Sequence, residues 1–445
     1  MKKVLATVAV STALVMGGAV AASAAGIEME GSVRVRGLSE QKITPHSAPY
    51  NTYDEQVRIG MKSKPSDNLT GYILLETGSG SSDTWGWGQE TTSSLYRGGT
   101  NFDNQLNIIQ AWMAYNPTKE LTLKVGHMPI APGTKQFVNH DNSGDDAIVL
   151  AWDPNKSTHV HVATIKLNEG VGNDNSDDLD AYALVATQKF SDSLKMGANL
   201  VHIKGGSPDD GAFLSITYPG IALSNLGVDA EYKMGNLTLK GDVNLQFGTI
   251  SETLVAAQNV DAEGYAFQLA ADYKIDNSNV GLLLGVGSGV DPDGATLNDQ
   301  VGNAFVNFLG DSAYQVYIPG YRKVTPGSFQ AAIGQTDGAN SGLSNLTLYQ
   351  LNAKTATTCP LTGKKLSVRG AFSYMRTTED VNNYGTNRED EIGTEVDIVA
   401  AWALTSNLTY QIEAAYLWTG DVYKTSATSS PEDAYFLRHG ITMKF

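Results

Sequence analysis

The chain has 445 residues with 47 acidic and 31 basic side chains, which give a formal net charge of −16 at pH 7. Such an acidic chain is a poor match for a nucleic-acid-binding protein or for a protein that adheres to anionic membrane surfaces. Cys359 is the single cysteine, so an intramolecular disulfide is excluded, and no Cys-x-x-Cys-His motif is present for covalent haem attachment.

Residues 1–24 have the organisation of a secretory signal peptide. Lys2 and Lys3 form a basic start, residues 4–20 are mostly apolar, and Ala22-Ser23-Ala24 is a small-residue cleavage site. An uncleaved membrane anchor is the alternative, which the short apolar run disfavours. Residues 25–445 are interpreted as one domain, and no stretch in them approaches the 18 consecutive apolar residues of a transmembrane helix.

Apolar and polar residues alternate along most of the remaining chain. Val33 and Val35 alternate with Arg34 and Arg36, and the last strand-like segment places an apolar or aromatic residue at most second positions up to Phe445. The same pattern is clearest in residues 226–233, 237–247, 265–274, 392–402 and 410–418. A period of two indicates β-strands, and an apolar face that ends on a terminal aromatic is typical of strands that face lipid.

Short and long connections alternate between these segments. The short ones are residues 64–68, 116–120, 153–157, 190–193, 234–236, 275–279, 357–363 and 405–407. Long ones lie between them, for example residues 78–103, 127–145, 205–224 and 288–344. This pattern predicts an all-β fold, a transmembrane antiparallel β-barrel of 18 strands with short periplasmic turns and long extracellular loops. Because the patterns around 146–153 and 179–189 are weak, 16 strands is the alternative count, and a soluble β-sandwich or propeller is the alternative fold.

Charged side chains are predicted to line the interior of this barrel. A barrel of 16 to 18 strands is too wide for side chains to fill, so its lumen holds water. Pairing of the last strand with the first brings together inward basic residues that we call the basic arc: Arg34, Arg36, Arg58, Lys62, Arg438 and Lys444, with Lys124 as an extension. The two strands before the last one carry Glu395, Asp397 and Glu413 inward. The functional interpretation is a role in permeation, and the alternative is a solvated lining without a specific role.

A constriction is predicted in the segment 127–145. This segment follows Lys124 and ends in an acidic group formed by Asp141, Asp145 and Asp146. If it folds into the lumen, its acids face basic residues across the opening, and lining charges of this kind set ion preference. The segment 288–344 is rich in aromatic residues, and three arrangements stay open for it: a cap on the pore, an inward fold, or packing against a neighbouring protomer.

Patterns associated with catalysis or metal binding are weak. His159 and His161 alternate with Val160 and Val162, so both imidazoles point the same way, as metal ligands do. Without a supporting carboxylate, a lumen lining is the preferred interpretation, and no metal or other cofactor is predicted. Gly-x-Ser-x-Gly, Walker A and His-Glu-x-x-His motifs are absent from the sequence, so the protein is not expected to be an enzyme.

Two segments resemble Gram-negative outer-membrane porins. Residues 25–37 are similar to a porin first strand, and residues 121–127 are similar to the strand that leads into the porin constriction loop. The resemblance implies a passive channel in the outer membrane of a Gram-negative cell, with an inward third loop and a homotrimeric assembly. It also implies contact with outer-membrane lipid and lipopolysaccharide, and recognition of Phe445 as an assembly signal by the barrel-assembly machinery.

Residues 391–421 are also similar to the end of alginate-export-type barrels, which have 18 strands and conduct a polyanion. The arginine-dense lining of such a conduit is missing here. The predicted function is therefore a general-diffusion porin for small hydrophilic solutes and ions. The alternatives are a substrate-selective channel for anionic saccharides or organic acids, and a structural barrel that sheathes a partner such as a cytochrome.

Overall fold

The structure is a computed structural model that describes most of the predicted barrel. The described residues are 26–41, 49–78, 85–86, 105–168, 178–205, 220–252, 258–291, 302–309, 325–328, 341–360, 362–383, 387–424, 426 and 428–445. The predicted signal peptide, residues 1–24, lies outside the described residues.

Eighteen long strands form one closed antiparallel barrel. Each strand pairs with the next one along the chain, and the last strand pairs back onto the first, with Ser32 opposite Lys444. The count of 18 is confirmed, and both weakly patterned segments form strands. The strands are β1 (Ile27–Gln41), β2 (Tyr50–Ser66), β3 (Leu69–Gly78), β4 (Gln105–Tyr115), β5 (Leu121–Ile130), β6 (Val138–Asn155), β7 (Thr158–Asn168), β8 (Leu179–Lys189), β9 (Leu194–Gly205), β10 (Gly220–Met234), β11 (Leu237–Glu252), β12 (Tyr265–Ile275), β13 (Ser278–Gly287), β14 (Leu346–Thr358), β15 (Lys365–Asn383), β16 (Asn387–Ala403), β17 (Leu408–Thr419) and β18 (Ala434–Lys444).

Shorter elements lie at one end of the barrel. Trp85–Gly86 pairs with β2, Gln258–Asp261 pairs with β11, and Phe308–Leu309 runs parallel to the start of β6. A 3₁₀ turn covers Asp421–Tyr423. Among the described residues, no helix is long and apolar enough to cross a membrane.

The short turns all lie at the end of the barrel where the first strand begins at Ile27 and the last strand ends at Lys444. Within the described residues, each of the eight predicted short connections joins two consecutive strands. Local chemistry explains their tightness: the Asn155 side-chain oxygen accepts hydrogen bonds from the backbone N–H groups of Ser157 (2.8 Å) and Thr158 (3.0 Å). Gly235, in the turn between β10 and β11, has φ +60°, which glycine adopts without steric cost. We call this end the periplasmic end and the other the extracellular end.

The outer face of the barrel is an exposed apolar belt. Side chains such as Leu226, Val228 and Leu245 are 41 to 49% exposed on this face. Aromatic rings flank the belt, with Tyr232 and Tyr273 beside the periplasmic turns and Trp418 towards the extracellular rim. Amphipathic rings favour the headgroup level of a bilayer, and a closed barrel satisfies its backbone hydrogen bonds internally. The outer face is therefore a lipid-facing surface.

The two halves of the interior differ in polarity. In the extracellular half, inward side chains such as Ile203, Leu223 and Ile250 are buried in an apolar cluster together with Phe305 and Phe308 from the segment after β13. In the periplasmic half, the inward side chains are polar and charged and surround open cavities. The apolar cluster positions the chain segments that narrow the lumen.

Candidate functional site

The connection between β5 and β6 forms a hairpin that folds into the lumen. β5 pairs with β4 only as far as the partners Ala111 and His127, whereas its pairing with β6 continues to Ile130 opposite His140. One edge of the hairpin is thus detached from the barrel wall. Gly126 lies at the point of departure with φ +124°, and a Cβ atom there would collide with the backbone oxygen of Ala111. Glycine permits the close approach at which the strand leaves the wall.

The tip of this hairpin reaches the wall formed by β9, β11 and β12. The Gln136 side-chain amide donates a hydrogen bond to Gln268 Oε1 on β12 at 2.8 Å. Thr134 bonds to the carboxylate of Asp242 on β11, and Gly133 packs against the amide of Asn199 on β9. The connection therefore crosses the lumen from β5 and β6 to β9, β11 and β12, which are not their neighbours in the barrel. We call residues 131–137 the constriction tip.

A second segment folds inward and packs on the constriction tip. The backbone N–H of Phe308 donates to the Phe137 oxygen at 2.7 Å, and the two phenyl rings meet edge to face with centroids 5.7 Å apart. On β11, Gln246 donates to the Val306 oxygen at 2.6 Å and accepts from the Val306 N–H at 2.8 Å. Of the three arrangements left open for 288–344, the inward fold is the one found for residues 302–309, one of its described parts. We call residues 302–309 the inner segment.

The three acids predicted for the constriction lie in three different environments. Asp141 forms an ion pair with Lys135 of the constriction tip. Asp145 is buried, and its carboxylate lies 2.8 Å from Nδ1 of His140. Asp146 lies on the outer face beside His127, at 3.0 Å from its Nδ1, because it alternates with the inward residues Asp145 and Ala147. The expected arrangement, with all three acids facing basic residues across the opening, is not found, because Asp146 points outward.

The basic arc lies on β18, β1 and β2 with its side chains directed inward, as the strand pairing predicts. Its residues alternate with lipid-facing ones and share one face across the registers of these three strands: Arg34, Arg36, Arg58, Lys62, Arg438 and Lys444. Lys124 also points inward on β5, with its ammonium group 3.9 Å from the centre of the Trp112 ring. The positions of the arc thus follow the expectation.

Carboxylates are interleaved with the arginines of the basic arc. Arg36 makes two parallel hydrogen bonds to Asp54, Nε to Oδ1 at 2.8 Å and Nη2 to Oδ2 at 2.7 Å. Arg58 forms an ion pair with Glu76, which is only 2% exposed. These bidentate and buried contacts are the strong form of charge pairing. Much of the positive charge of the arc is therefore neutralised within its own wall.

The acids predicted on the neighbouring strands also point inward. On β17, Glu413 accepts a hydrogen bond from Arg438 Nε at 2.9 Å, so it belongs to the same paired wall. On β16, Glu395 and Asp397 are almost completely buried. Asp397 lines a 200 Å³ cavity together with Asn352 and Arg369. Acidic and basic side chains thus alternate around the lumen instead of occupying two opposed walls.

Two larger cavities lie in the part of the lumen that the structure describes. One, of 530 Å³, is lined by most of the basic arc together with Glu413 and the polar residues of β17. The other, of 690 Å³, lies between the constriction tip and a wall that carries both acids and lysines: Asp229, Glu231, Asp242, Asp272, Lys195 and Lys240. Both cavities are lined by polar and charged groups, which can take over the hydrogen bonds that a solute makes with water. This lining is that of a passage for hydrated solutes and not that of a packed core.

Several residues of this site cannot be identified from the sequence alone. Asp54 and Glu76 lie 18 residues from the arginines that they bind, and Gln246 lies 60 residues from its partner Val306. The alternation around Asp54 indicates an inward side chain, but only the register between β1 and β2 identifies its partner. Gln246 carries no sequence signal beyond a polar residue at an inward position.

The fold was compared with those of known proteins. No protein-family model and no curated protein sequence matches the chain. Among solved structures, OccAB2 of Acinetobacter baumannii has a TM-score of 0.60 at 11% identity, over 94% of this chain and 98% of that one. A BenF-like porin from Pseudomonas fluorescens Pf-5 has a TM-score of 0.59 at 11% identity, with the same two coverages. The outer membrane protein OprD from Pseudomonas aeruginosa has 0.54 at 11% identity, over 94% and 93%.

The fold is that of an outer-membrane porin. At this level of identity the likeness concerns the fold, and it confirms the resemblance to porins that the sequence indicated. The lipid-facing belt of the porin barrel agrees with this comparison, because a transmembrane barrel of this kind belongs to an outer membrane. The predicted location in the outer membrane of a Gram-negative cell is confirmed.

Proposed function

We propose that this porin barrel is a passive channel for small hydrophilic solutes and ions. The observation that carries the proposal is the charged cavity of 690 Å³ between the constriction tip and the opposite wall. A lumen that is polar where it is narrowest favours hydrated solutes and slows apolar ones. Transport through it is driven by the solute gradient, without a cofactor or a covalent step.

A substrate-selective channel is the second candidate, and the inner segment favours it. The constriction tip is fixed by Phe308 on one side and by Gln268 on the other, and Gln246 anchors the inner segment to the wall. An opening bounded by two mutually packed segments discriminates more sharply by size and shape than a mobile loop does. Organic acids and anionic saccharides are the proposed substrates of such a channel, because basic residues line the neighbouring 530 Å³ cavity.

The pairing of charges weighs against a conduit for a polyanion. A polyanion needs a continuous excess of positive charge along its path. Here Arg36, Arg58 and Arg438 are each bonded to a carboxylate of the same wall. Small anions that bind one or two cationic groups fit this lining better than a long anionic chain.

The structural alternative, a barrel that sheathes a partner, is disfavoured by the course of the chain. The constriction tip and the inner segment occupy the lumen and contact each other. A protein threaded through the barrel would have to displace both. Purification of the barrel from its native membrane tests this alternative, since a sheathed partner would be recovered in stoichiometric amount.

Swelling of proteoliposomes distinguishes the two channel candidates. For a general-diffusion channel, we expect uptake rates of neutral sugars to decrease smoothly with sugar size. For a selective channel, one class of organic acid or anionic saccharide enters faster than neutral solutes of the same size and blocks the current competitively. Liposomes with heat-unfolded protein are the control, and uptake equal to that control for every solute would contradict both candidates.

We also propose that Phe445 is an assembly signal. The backbone groups of Phe445 and Gly31 exchange two hydrogen bonds, at 2.8 and 3.0 Å, and the Phe445 ring lies over Gly31 on the outer face. The residue thus completes the seam that closes the barrel. We expect Phe445→Ala to reduce the amount of folded barrel in the outer membrane more than Met443→Ala does, measured by heat-modifiable migration on gels. Equal amounts for both variants would contradict this role.

The proposed partners of the barrel are outer-membrane lipid and lipopolysaccharide, the barrel-assembly machinery, and two further copies of the chain in a homotrimer. The lipid-facing belt supports the first of these. Native mass spectrometry of the detergent-purified barrel tests the trimer, and a monomer under mild conditions would contradict it.

A further inference from the structure

His159 and His161 lie next to each other at the periplasmic mouth of the lumen. They lie at the start of β7, next to the turn that precedes it, where they alternate with Val160 and the lipid-facing Val162. Their register partners, Thr187 for His159 and Val185 for His161, lie on the inner face of β8. Because side chains two positions apart on a strand share a face, both imidazoles lie on the inner face of the barrel wall.

A carboxylate supports one of these histidines. Asp153, on the other side of the β6–β7 turn, lies with its Oδ1 2.6 Å from Nδ1 of His159. This carboxylate was not recognised in the sequence, because Asp153 lies before the turn and its distance along the chain from His159 matches no known metal-binding motif. A carboxylate on Nδ1 favours the tautomer that keeps its proton there, so Nε2 of His159 presents a lone pair to the lumen.

His161 is available to act with it. Its side chain is exposed, and it has no hydrogen-bond partner in the part of the chain that the structure describes. The two residues are separated by about 6.8 Å along the strand, a spacing at which two imidazoles reach one ion from the same side. Among the described residues, no set of three histidine, cysteine or carboxylate side chains converges on one point, and an ion held by the two imidazoles would take its other ligands from water.

We propose that His159 and His161 form a binding site for a divalent transition-metal ion such as Zn²⁺, Cu²⁺ or Ni²⁺, with Asp153 as the group that orients His159. Imidazole nitrogen suits these ions and not Mg²⁺ or Ca²⁺, which prefer oxygen. A hydrogen-bonded carboxylate behind a histidine ligand is the usual second contact of such sites. The site faces the periplasm, so it takes up or releases an ion on that side of the membrane.

Binding of Zn²⁺ to the untagged, detergent-purified barrel tests the proposal. Isothermal titration calorimetry should give one site per chain, and His159→Asn and His161→Asn should each weaken it at least tenfold. Asp153→Asn should weaken it by about 10- to 100-fold, as loss of such a carboxylate typically does. The matched control is His202→Asn on β9, whose histidine bonds to Ser224 Oγ at 3.0 Å and should not affect Zn²⁺ binding.

Electron paramagnetic resonance with Cu²⁺ provides an independent measurement on the same variants. The wild-type spectrum should show coupling to two imidazole nitrogens, and each single histidine variant should show one fewer. The proposal is overturned if the double variant His159→Asn/His161→Asn binds Zn²⁺ as the wild type does, or if the wild type binds no Zn²⁺ at millimolar concentration. Neither measurement requires a conducting pore, so the result is independent of the proposed channel function.

Discussion

The ion pair between Arg438 and Glu413 leads to the sharpest prediction about the lumen. Both side chains line the same 530 Å³ cavity, and Arg438 Nε donates to Glu413 Oε2 at 2.9 Å. Arg438→Gln leaves the negative charge of Glu413 in the wall, and Glu413→Gln leaves the positive charge of Arg438. The two variants are therefore expected to shift ion selectivity in opposite directions, the first towards cations and the second towards anions.

The size of the shift follows from the electrostatics of one uncompensated charge. An ion that passes about 6 Å from such a charge in water gains or loses about 0.7 kcal/mol. Screening over a Debye length of about 10 Å at 0.1 M salt reduces this to about 0.4 kcal/mol. Because one uncompensated charge stabilises one ion and destabilises the other by this amount, each single variant should change the permeability ratio of cation to anion about fourfold. The double variant should return close to the wild-type value.

The reversal potential in a KCl gradient across a planar bilayer measures the permeability ratio of cation to anion. It is recorded for the wild type, the two single variants and the double variant. Raising the salt to 1 M should nearly abolish the difference, because the Debye length falls to about 3 Å. Shifts in the same direction for both single variants, or no shift in either, would refute the placement of this pair beside the permeation path. Heat-modifiable migration on gels serves as the control that each variant is folded.

Four further predictions concern the lumen and the lipid face. Replacement of Arg34, Arg36 and Arg58 by glutamine should shift permeability towards cations, since Asp54 and Glu76, the carboxylate partners of Arg36 and Arg58, remain. An unchanged reversal potential would show that the three arginines do not set selectivity. Replacement of residues 131–137 by a short glycine turn should increase the single-channel conductance, whereas an unchanged value would place the narrowest point elsewhere. Gln246→Leu should increase current fluctuations, because it removes both hydrogen bonds to the inner segment, and unchanged fluctuations would contradict this anchoring role. Val228→Lys on the lipid face should destabilise the folded barrel by about 2–4 kcal/mol in a urea titration in lipid vesicles, and a neutral effect would contradict the assignment of that face.

The barrel itself could be predicted because its rules are local. A period of two, turn residues such as Asn155 and Gly235, and the alternation of short and long connections each depend on residues close in sequence. The inward direction of the basic arc follows from the same alternation. The outward direction of Asp146 was also predictable from the sequence, because Asp146 lies on the same face of the strand as Ile148 and Leu150, which face lipid.

Pairings between distant segments could not be predicted from the sequence. The neutralisation of the basic arc could not be foreseen, because Asp54 and Glu76 approach the arginines only through the register of β1, β2 and β3. The inward course of residues 302–309 depends on Gln246 and on Phe137, neither of which marks a partner in its own sequence context. Long-range contacts of this kind are set by the closed barrel and not by local preference.

The central claim is that the lumen conducts despite the two segments that fold into it. Single-channel recording of the detergent-purified barrel in a planar bilayer tests this claim most directly. We expect discrete, ohmic current steps whose conductance rises in proportion to the salt concentration, as for a water-filled opening. A folded, heat-modifiable barrel that inserts without current steps at any salt concentration would contradict the account, because it would mean that the constriction tip and the inner segment together seal the pore.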